Sequence, residues 1–279
     1  MTNHRFRLVI SDIDGTLLND EGFIPEENKL AVRGLKERGI GFTLATGRMD
    51  RMIRTFVRQL GVELPVIACN GAIIRDCTGD RILWQHNLPT SDALALLGHL
   101  SDLGCDYLCY TPDLVYYPAH SGRIDLFRQY NRVSAGMGIA PIPLLSLEGQ
   151  EDAMISKGLV KILAVPRDAV LLADIRCRIS RLPGLEGVLS MTHAFDIMAA
   201  GVSKGKAMGH LAEILGIRPA EIAAVGDNDN DAAMLAAAGF GIAMANGTDE
   251  ARAAARATTA SDNNQAGLTE AIGMILNDN

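Results

Sequence analysis

The chain has 279 residues, 48% of them hydrophobic and 21% charged, with a formal net charge of −7. That length supports a substantial core in one or two domains, and the composition is that of an ordinary soluble chain. The mildly acidic balance, without a basic block, argues against nucleic acid as a main partner, and no apolar run approaches the roughly 20 residues that span a bilayer.

The first element is the run Leu8-Val9-Ile10, which reads as a buried parallel strand. It leads into Ser11-Asp12-Ile13-Asp14-Gly15-Thr16. Alternate strand side chains share a face, so Asp12 and Asp14 point the same way. Two such carboxylates repel by about 4 kcal/mol at roughly 4 Å and an effective dielectric of 20. A divalent cation or a proton held on one of them relieves that. Gly15 permits a sharp turn or a close approach of the backbone to a ligand. A solvated Asp-x-Asp-Gly turn is the competing reading of the stretch by itself.

A helix opens at Pro25-Glu26-Glu27, with Leu30, Ala31, Gly34 and Leu35 on one face and Gly39 as its stop. A second strand over 40–45 ends at Thr46-Gly47-Arg48, and a helix follows over 50–60. A third strand over 65–69 ends at Asn70-Gly71. This βαβαβ order implies a parallel sheet with right-handed crossovers. Residues 72–85 then read as a hairpin around Thr78-Gly79-Asp80.

From about 85 to 192 the strict alternation is lost. Strands are expected at 106–110, 114–117 and 158–165, helices at 122–132 and 167–179, and a loop at Pro141-Ile142-Pro143. This reads as an inserted α+β domain of about 100 residues, an ordinary domain size. Regular order returns near Lys204. Ala207, Met208, Leu211, Ala212 and Leu215 form a helical stripe, and a strand over 221–225 leads into Gly226-Asp227-Asn228-Asp229-Asn230-Asp231. A helix over 232–238, a strand over 240–244, a helical alanine-rich stretch after Glu250 and a final helix over 268–276 complete the pattern.

Three further segments fall where an open α/β sheet binds ligands, beyond the carboxyl ends of its strands. The Thr46 hydroxyl is a donor suited to a phosphate oxygen, and the helix start beside it adds backbone donors, although taken alone the segment reads as a plain strand-to-helix turn. In Ser203-Lys204-Gly205-Lys206 a lysine faces the positive end of a helix dipole, which is unfavourable unless an anion sits there. The acidic loop 226–231 carries three aspartates and needs a cation or open water. It is not an EF-hand: the positions that require glycine and glutamate hold Ala232 and Ala238. The five cysteines, Cys69, Cys77, Cys105, Cys109 and Cys177, form no Cys-x-x-Cys, so reduced thiols in a cytoplasmic protein are expected. No signal peptide is expected, because the opening residues are followed by only a three-residue apolar run.

In order and spacing, Asp12-Ile13-Asp14-Gly15-Thr16, Thr46-Gly47-Arg48, Ser203-Lys204-Gly205 and Gly226-Asp227-x-x-Asn230-Asp231 resemble haloacid dehalogenase-like phosphatases. The long gap between the second and third motifs is similar to the Cof-type branch, which carries a large α+β cap there. The likeness extends to Asn70-Gly71-Ala72 and to the segment 240–246, whereas Asp262-Asn263-Asn264-Gln265 departs from the acidic, glycine-containing tail of that branch.

The resemblance implies an α/β fold. Its core is Rossmann-like, three-layered, built on a parallel sheet and made of residues 1–84 and 193–279. The inserted cap, 85–192, sets specificity. It also implies a Mg²⁺-dependent phosphomonoester hydrolase acting on small phosphorylated metabolites, sugar phosphates or phosphorylated cofactors. In that reading Asp12 is the nucleophile and Asp14 the acid and base. Asp12, the Asp14 carbonyl and Asp227 hold the metal. Thr46, Lys204 and Asn230 bind the phosphoryl group, with Asp231, Gly47 and Asn70 in support. A sugar phosphomutase, a receiver-like phosphoacceptor and a non-catalytic sugar-phosphate binder are the alternatives. In the cap, His120, Ser121, Arg123 and Arg132 are candidates for specificity, each also readable as plain surface. The sequence does not give the oligomeric state.

Overall fold

In the computed structural model, which describes residues 4–191 and 194–278, Leu8–Ser11 is the strand around which the first half of the fold is laid. It pairs in parallel with Gly41–Leu44 on one side and with Ile222–Gly226 on the other. Phe240–Ala243 and then Ala257–Thr258 extend the sheet, again in parallel. The strand order is therefore 257–258, 240–243, 222–226, 8–11, 41–44. All four residues of Leu8–Ser11 and all five of Ile222–Gly226 are buried, as expected for strands covered on both faces. The chain leaves Leu8–Ser11 toward one edge and returns on its other side. This creates a switch point beyond the carboxyl ends of 8–11 and 222–226, the place where such sheets bind ligands. This is the Rossmann-like α/β core expected from the sequence.

The third strand is shorter and less integrated than expected. Val66–Ala68 reaches the sheet through a single parallel bridge, Ala45 to Ile67, and pairs antiparallel with Ile73–Asp76. Ile73–Asp76 is in turn the neighbour of Arg81–Gln85, which is the expected hairpin. Its turn is held by the Asp76 carboxylate, which accepts from the Thr78 and Gly79 amides, while Asp80 takes a left-handed φ of 49°.

The face assigned to the first helix is corrected. Glu26–Glu37 buries Asn28, Val32 and Leu35, and Leu30 is 53% exposed. The buried positions follow the i, i+4, i+7 spacing that Leu30 lies outside. Asn28 faces inward because both ends of its amide are hydrogen-bonded: it donates to the Leu17 carbonyl and accepts from the Thr269 amide and hydroxyl. The helix expected over 50–60 begins as a 3₁₀ turn, Asp50–Ile53, and continues as Arg54–Leu60.

The chain forms two compact units: Met1–Gly47 with Phe56–Leu83 and Ser203–Asn279, and Arg48–Thr55 with Trp84–Val202. Arg48–Thr55 belongs with the second unit, where Arg51 pairs with Asp113 and the Tyr130 hydroxyl donates to the Arg51 carbonyl. The expected boundary between 192 and 193 lies outside the described residues.

The second unit holds a sheet in the order 185–191, 194–199, 161–165, 106–110, 115–117, 144–146, antiparallel except for its last pair. One face of this sheet, including Ile162, Ala164, Phe195 and Ile197, shares an apolar core with Leu96 and Leu100 of helix Thr90–Asp102 and Ile175 of helix Ala169–Ile179. The strands 106–110 and 161–165 and the second helix were legible. The antiparallel strands 185–191 and 194–199 and the helix Thr90–Asp102 were not. Lys161 and Asp196 form a buried ion pair at 2.6 Å, with the ammonium 5.1 Å from the Tyr110 ring centre. No helix among the described residues is long and apolar enough to cross a membrane.

Candidate active site

Asp12 follows directly on the strand Leu8–Ser11 and is 5% exposed. Its amide donates to the Val225 carbonyl, which ties the loop after one strand to its neighbour. Gly15 takes a left-handed φ of 78°, and a Cβ there would lie 2.3 Å from Asp227 Oδ2. The 14–16 backbone and the Asp227 carboxylate therefore come together only with glycine at that position. Thr16 Oγ1 donates to Asp227 Oδ1 at 2.6 Å and fixes that carboxylate.

Lys204 is the first residue of helix Lys204–Leu215, whose N-cap Ser203 accepts from the Lys206 amide. Its side chain is wholly buried, and Nζ lies 2.7 Å from both Asp12 Oδ1 and Asp231 Oδ1. The other Asp231 oxygen accepts from the amides of Asp227 and Asn228 at 3.0 Å. Both oxygens of Asp231 are thus engaged, one by a cation and one by two backbone donors. Asp12, Asp227 and Asp231 each present a carboxylate oxygen, and these oxygens lie within 4.8 Å of one another. Asp14, which follows Asp12 and Ile13 in sequence, is half-buried.

The electrostatics follow from burial. Asp12 is pushed well above the usual carboxylate range, first by desolvation, against the pull of Lys204, and then by Asp231, Asp227 and Asp14. Asp227 is raised to about 7, mainly by burial and then by Asp231, with the Thr16 hydrogen bond opposing. For Lys204 burial opposes the charge, but Asp12 and Asp231 outweigh it and the ammonium is held protonated above its usual range.

Thr46 is buried at the end of its strand; its amide donates to the Ile67 carbonyl and its carbonyl accepts from the Asn70 amide. Asn230 does not meet Lys204. Its amide nitrogen donates to Asn70 Oδ1 at 2.9 Å, and the same oxygen would be 2.8 Å from a Cβ on Gly47. The structure therefore gathers Asp12, Lys204, Asp227 and Asp231 into one cluster, and Gly47, Asn70 and Asn230 into another. Sequence reasoning gave no role to Thr16 or to Asn246, whose Nδ2 donates to the Gly15 carbonyl at 2.8 Å. Thr16 could have been found from its place in the opening motif, and Asn246 from its position just beyond a strand end. Of the second unit's candidates, His120 and Arg132 are exposed, Arg123 is half-buried, and Ser121 is buried with a hydroxyl that meets no partner among the described residues.

The family profile of haloacid dehalogenase-like hydrolases matches residues 9–272. The chain belongs to the haloacid dehalogenase-like hydrolase family. It is 28% identical to a 5-amino-6-(5-phospho-D-ribitylamino)uracil phosphatase of Bacillus subtilis, over 97% of this chain and 98% of that one. It is 29% identical to a pyridoxal phosphate phosphatase of Escherichia coli, over 89% and 91%. The fold superposes on a haloacid dehalogenase-like hydrolase of B. subtilis with a TM-score of 0.78 at 27% identity, covering 96% of this chain and 99% of that one. On the weight of these full-length relatives the protein is an enzyme of the family, a phosphatase.

The donor set suits a hard divalent cation. It is made of oxygen alone, and ionising all three of Asp12, Asp227 and Asp231 against the single charge of Lys204 would leave two negative charges for a cation to offset.

Proposed function

We propose that this phosphatase is a Mg²⁺-dependent phosphomonoester hydrolase that acts in the cytoplasm on small phosphorylated metabolites through an aspartyl phosphate on Asp12. The observation that carries the reading is the buried Lys204 ammonium held between Asp12 and Asp231, with Asp227 against the same loop. The Asp12 and Asp227 carboxylates and the Asp14 carbonyl hold the metal. When bound, Mg²⁺ offsets the negative charge of the transferring phosphoryl group. Asp231, with both oxygens engaged, orients Lys204 and the turn carrying Asp227.

Lys204 keeps the Asp12 carboxylate aligned through Oδ1. The carboxylate attacks phosphorus, the bond from phosphorus to the ester oxygen breaks, and Asp14 gives its proton to the departing alcohol. Asp14, now a carboxylate, takes a proton from water as that water attacks phosphorus. The bond to Asp12 breaks, releasing inorganic phosphate and restoring the nucleophile. Thr46, Lys204 and Asn230 hold the transferring oxygens, and fixed charge supplies most of the rate enhancement.

Residues 1–84 and 193–279 are the catalytic domain in this reading, and 85–192 the part that selects the substrate. Sugar phosphates or phosphorylated cofactors are the expected class, in keeping with the relatives named as phosphatases of 5-amino-6-(5-phospho-D-ribitylamino)uracil and of pyridoxal phosphate. The test is a panel of phosphorylated metabolites with Mg²⁺, with and without chelator. Metal-dependent release of inorganic phosphate is expected, with one compound class preferred. Full turnover after exhaustive metal removal would refute the metal assignment. Isomer formation that requires a bisphosphate activator would make the enzyme a phosphomutase instead.

A further inference from the structure

Three consecutive buried residues, Cys69, Asn70 and Gly71, have left-handed backbones, with φ of 50°, 55° and 102°. Only glycine adopts this region without cost, and asparagine tolerates it better than most residues. A buried run of such residues persists only where its surroundings hold it, and strain of this kind gathers at functional sites.

The surroundings are the three segments that carry the candidate phosphoryl ligands. The Asn70 amide donates to the Thr46 carbonyl at 3.0 Å. Asn70 Oδ1 accepts from Asn230 Nδ2 at 2.9 Å and leaves no room for a side chain on Gly47. Gly71 lies so close to the helix start that a Cβ would come within 2.4 Å of the Ser203 carbonyl, the residue before Lys204. One three-residue turn therefore touches the segments of Thr46, Lys204 and Asn230. Asn230 Oδ1 is buried and meets no partner among the described residues, so Asn70 is the side chain that fixes how this amide is presented.

We infer that the left-handed turn at 69–71 sets the spacing of the phosphoryl-binding groups, and that Asn70 is a positioning residue acting through Asn230 and Thr46. This rests on the phosphatase reading above. It separates two roles that asparagine has here: tolerance of the backbone conformation, and the amide oxygen that orders Asn230.

Asn70→Gly keeps the first role and removes the second; Asn70→Asp keeps a tolerant backbone and an oxygen acceptor. For each full-length variant, kcat and KM with a nitrophenyl phosphate, inhibition by inorganic phosphate and the thermal midpoint are measured. Asn70→Gly is expected to unfold at or above the parent's midpoint, because glycine relieves the left-handed strain. Its kcat is expected to fall by about 10- to 100-fold, the scale of a small misplacement of binding groups, and phosphate inhibition to weaken with it. Asn70→Asp is expected to recover most of kcat. Asn230→Ala is expected to cost little further in the Asn70→Gly background, since both changes remove one contact. A fully active Asn70→Gly with parental phosphate inhibition overturns the inference, because the residue is then only a turn former. A parent that hydrolyses nothing removes the phosphatase reading. The turn's role is then judged by the stabilisation that inorganic phosphate with Mg²⁺ gives the parent. Loss of that stabilisation in Asn70→Gly supports the inference, and its persistence, or its absence from the parent, overturns it.

Discussion

Replacing Lys204 with methionine keeps the length of the side chain and removes its charge. The ammonium lies 2.7 Å from two buried carboxylates and is itself wholly buried. At an effective dielectric of 20, each contact is a gross attraction of about 6 kcal/mol. Most of that offsets desolvation, and losing one partner of a buried pair costs about 3–5 kcal/mol net, because the remaining charge is left uncompensated.

The sign with pH follows. In the parent the folded Lys204 is raised above its unfolded value, so its contribution is fully present at pH 8 and is lost only in strong alkali. In Lys204→Met the Asp12 carboxylate loses the charge that held it down. Its folded pKa, already raised by burial, climbs further above the unfolded one, and stability falls as pH rises through that window. Denaturant unfolding in chelator is the assay. A deficit of about 3–5 kcal/mol at pH 8 that shrinks at pH 5 is expected. Adding Asp231→Asn should restore part of the stability and none of the turnover. A deficit under about 1 kcal/mol at pH 8, in the range of an exposed pair, or one of equal size at both pH values, would refute the charge argument.

The remaining expectations concern the carboxylates. Asp227, raised to about 7 in the fold, makes the metal-free protein lose stability as pH climbs from about 4, the unfolded value, to about 7; Mg²⁺ should therefore raise the thermal midpoint more at pH 8 than at pH 5.5, and an equal rise at both would count against Asp227 as a ligand. Asp12→Asn should abolish turnover and leave no phosphoenzyme in rapid-quench experiments, since an amide is a poor nucleophile. Asp14→Asn should lose about 10²- to 10⁴-fold with an alkyl phosphate but less in the first step with a nitrophenyl ester, whose leaving group needs no proton; equal first-step losses on both substrates would show that Asp14 is not the acid.

What was legible in the sequence was what a few adjacent residues carry. Each of the four motifs stands at the end of a strand or the start of a helix, so local pattern placed it in the right end of the sheet. The inward face of the first helix was not legible, because Asn28 is buried through partners at Leu17 and Thr269, the latter 241 residues away. Nor was the pairing of Lys161 with Asp196: Lys161 is a polar residue in a run that reads as apolar strand, and the strand that carries Asp196 was itself not read. The left-handed turn at 69–71 was visible only as Asn-Gly, which marks a bend without saying what it holds.

Lys204 shows how a correct local argument stops short of the site. A lysine at a helix N-terminus faces the positive end of the dipole, and that pointed to an anion. The protein itself supplies two, Asp12 and Asp231, the first 192 residues away in sequence. In the proposed mechanism, a phosphoryl group arriving at Asp12 therefore meets a lysine already engaged by the nucleophile, and must share it. In that proposal the same ammonium aligns the attacking carboxylate before reaction and faces its phosphorylated form afterwards, when the Asp12 oxygens carry less charge. Asp231 does not change during that exchange, because both its oxygens stay bound. On the proposed mechanism it holds Lys204 in place while the charge on the other side of the ammonium moves from carboxylate to phosphoryl group, a role for the one buried aspartate that is neither nucleophile, acid nor metal ligand in that reading.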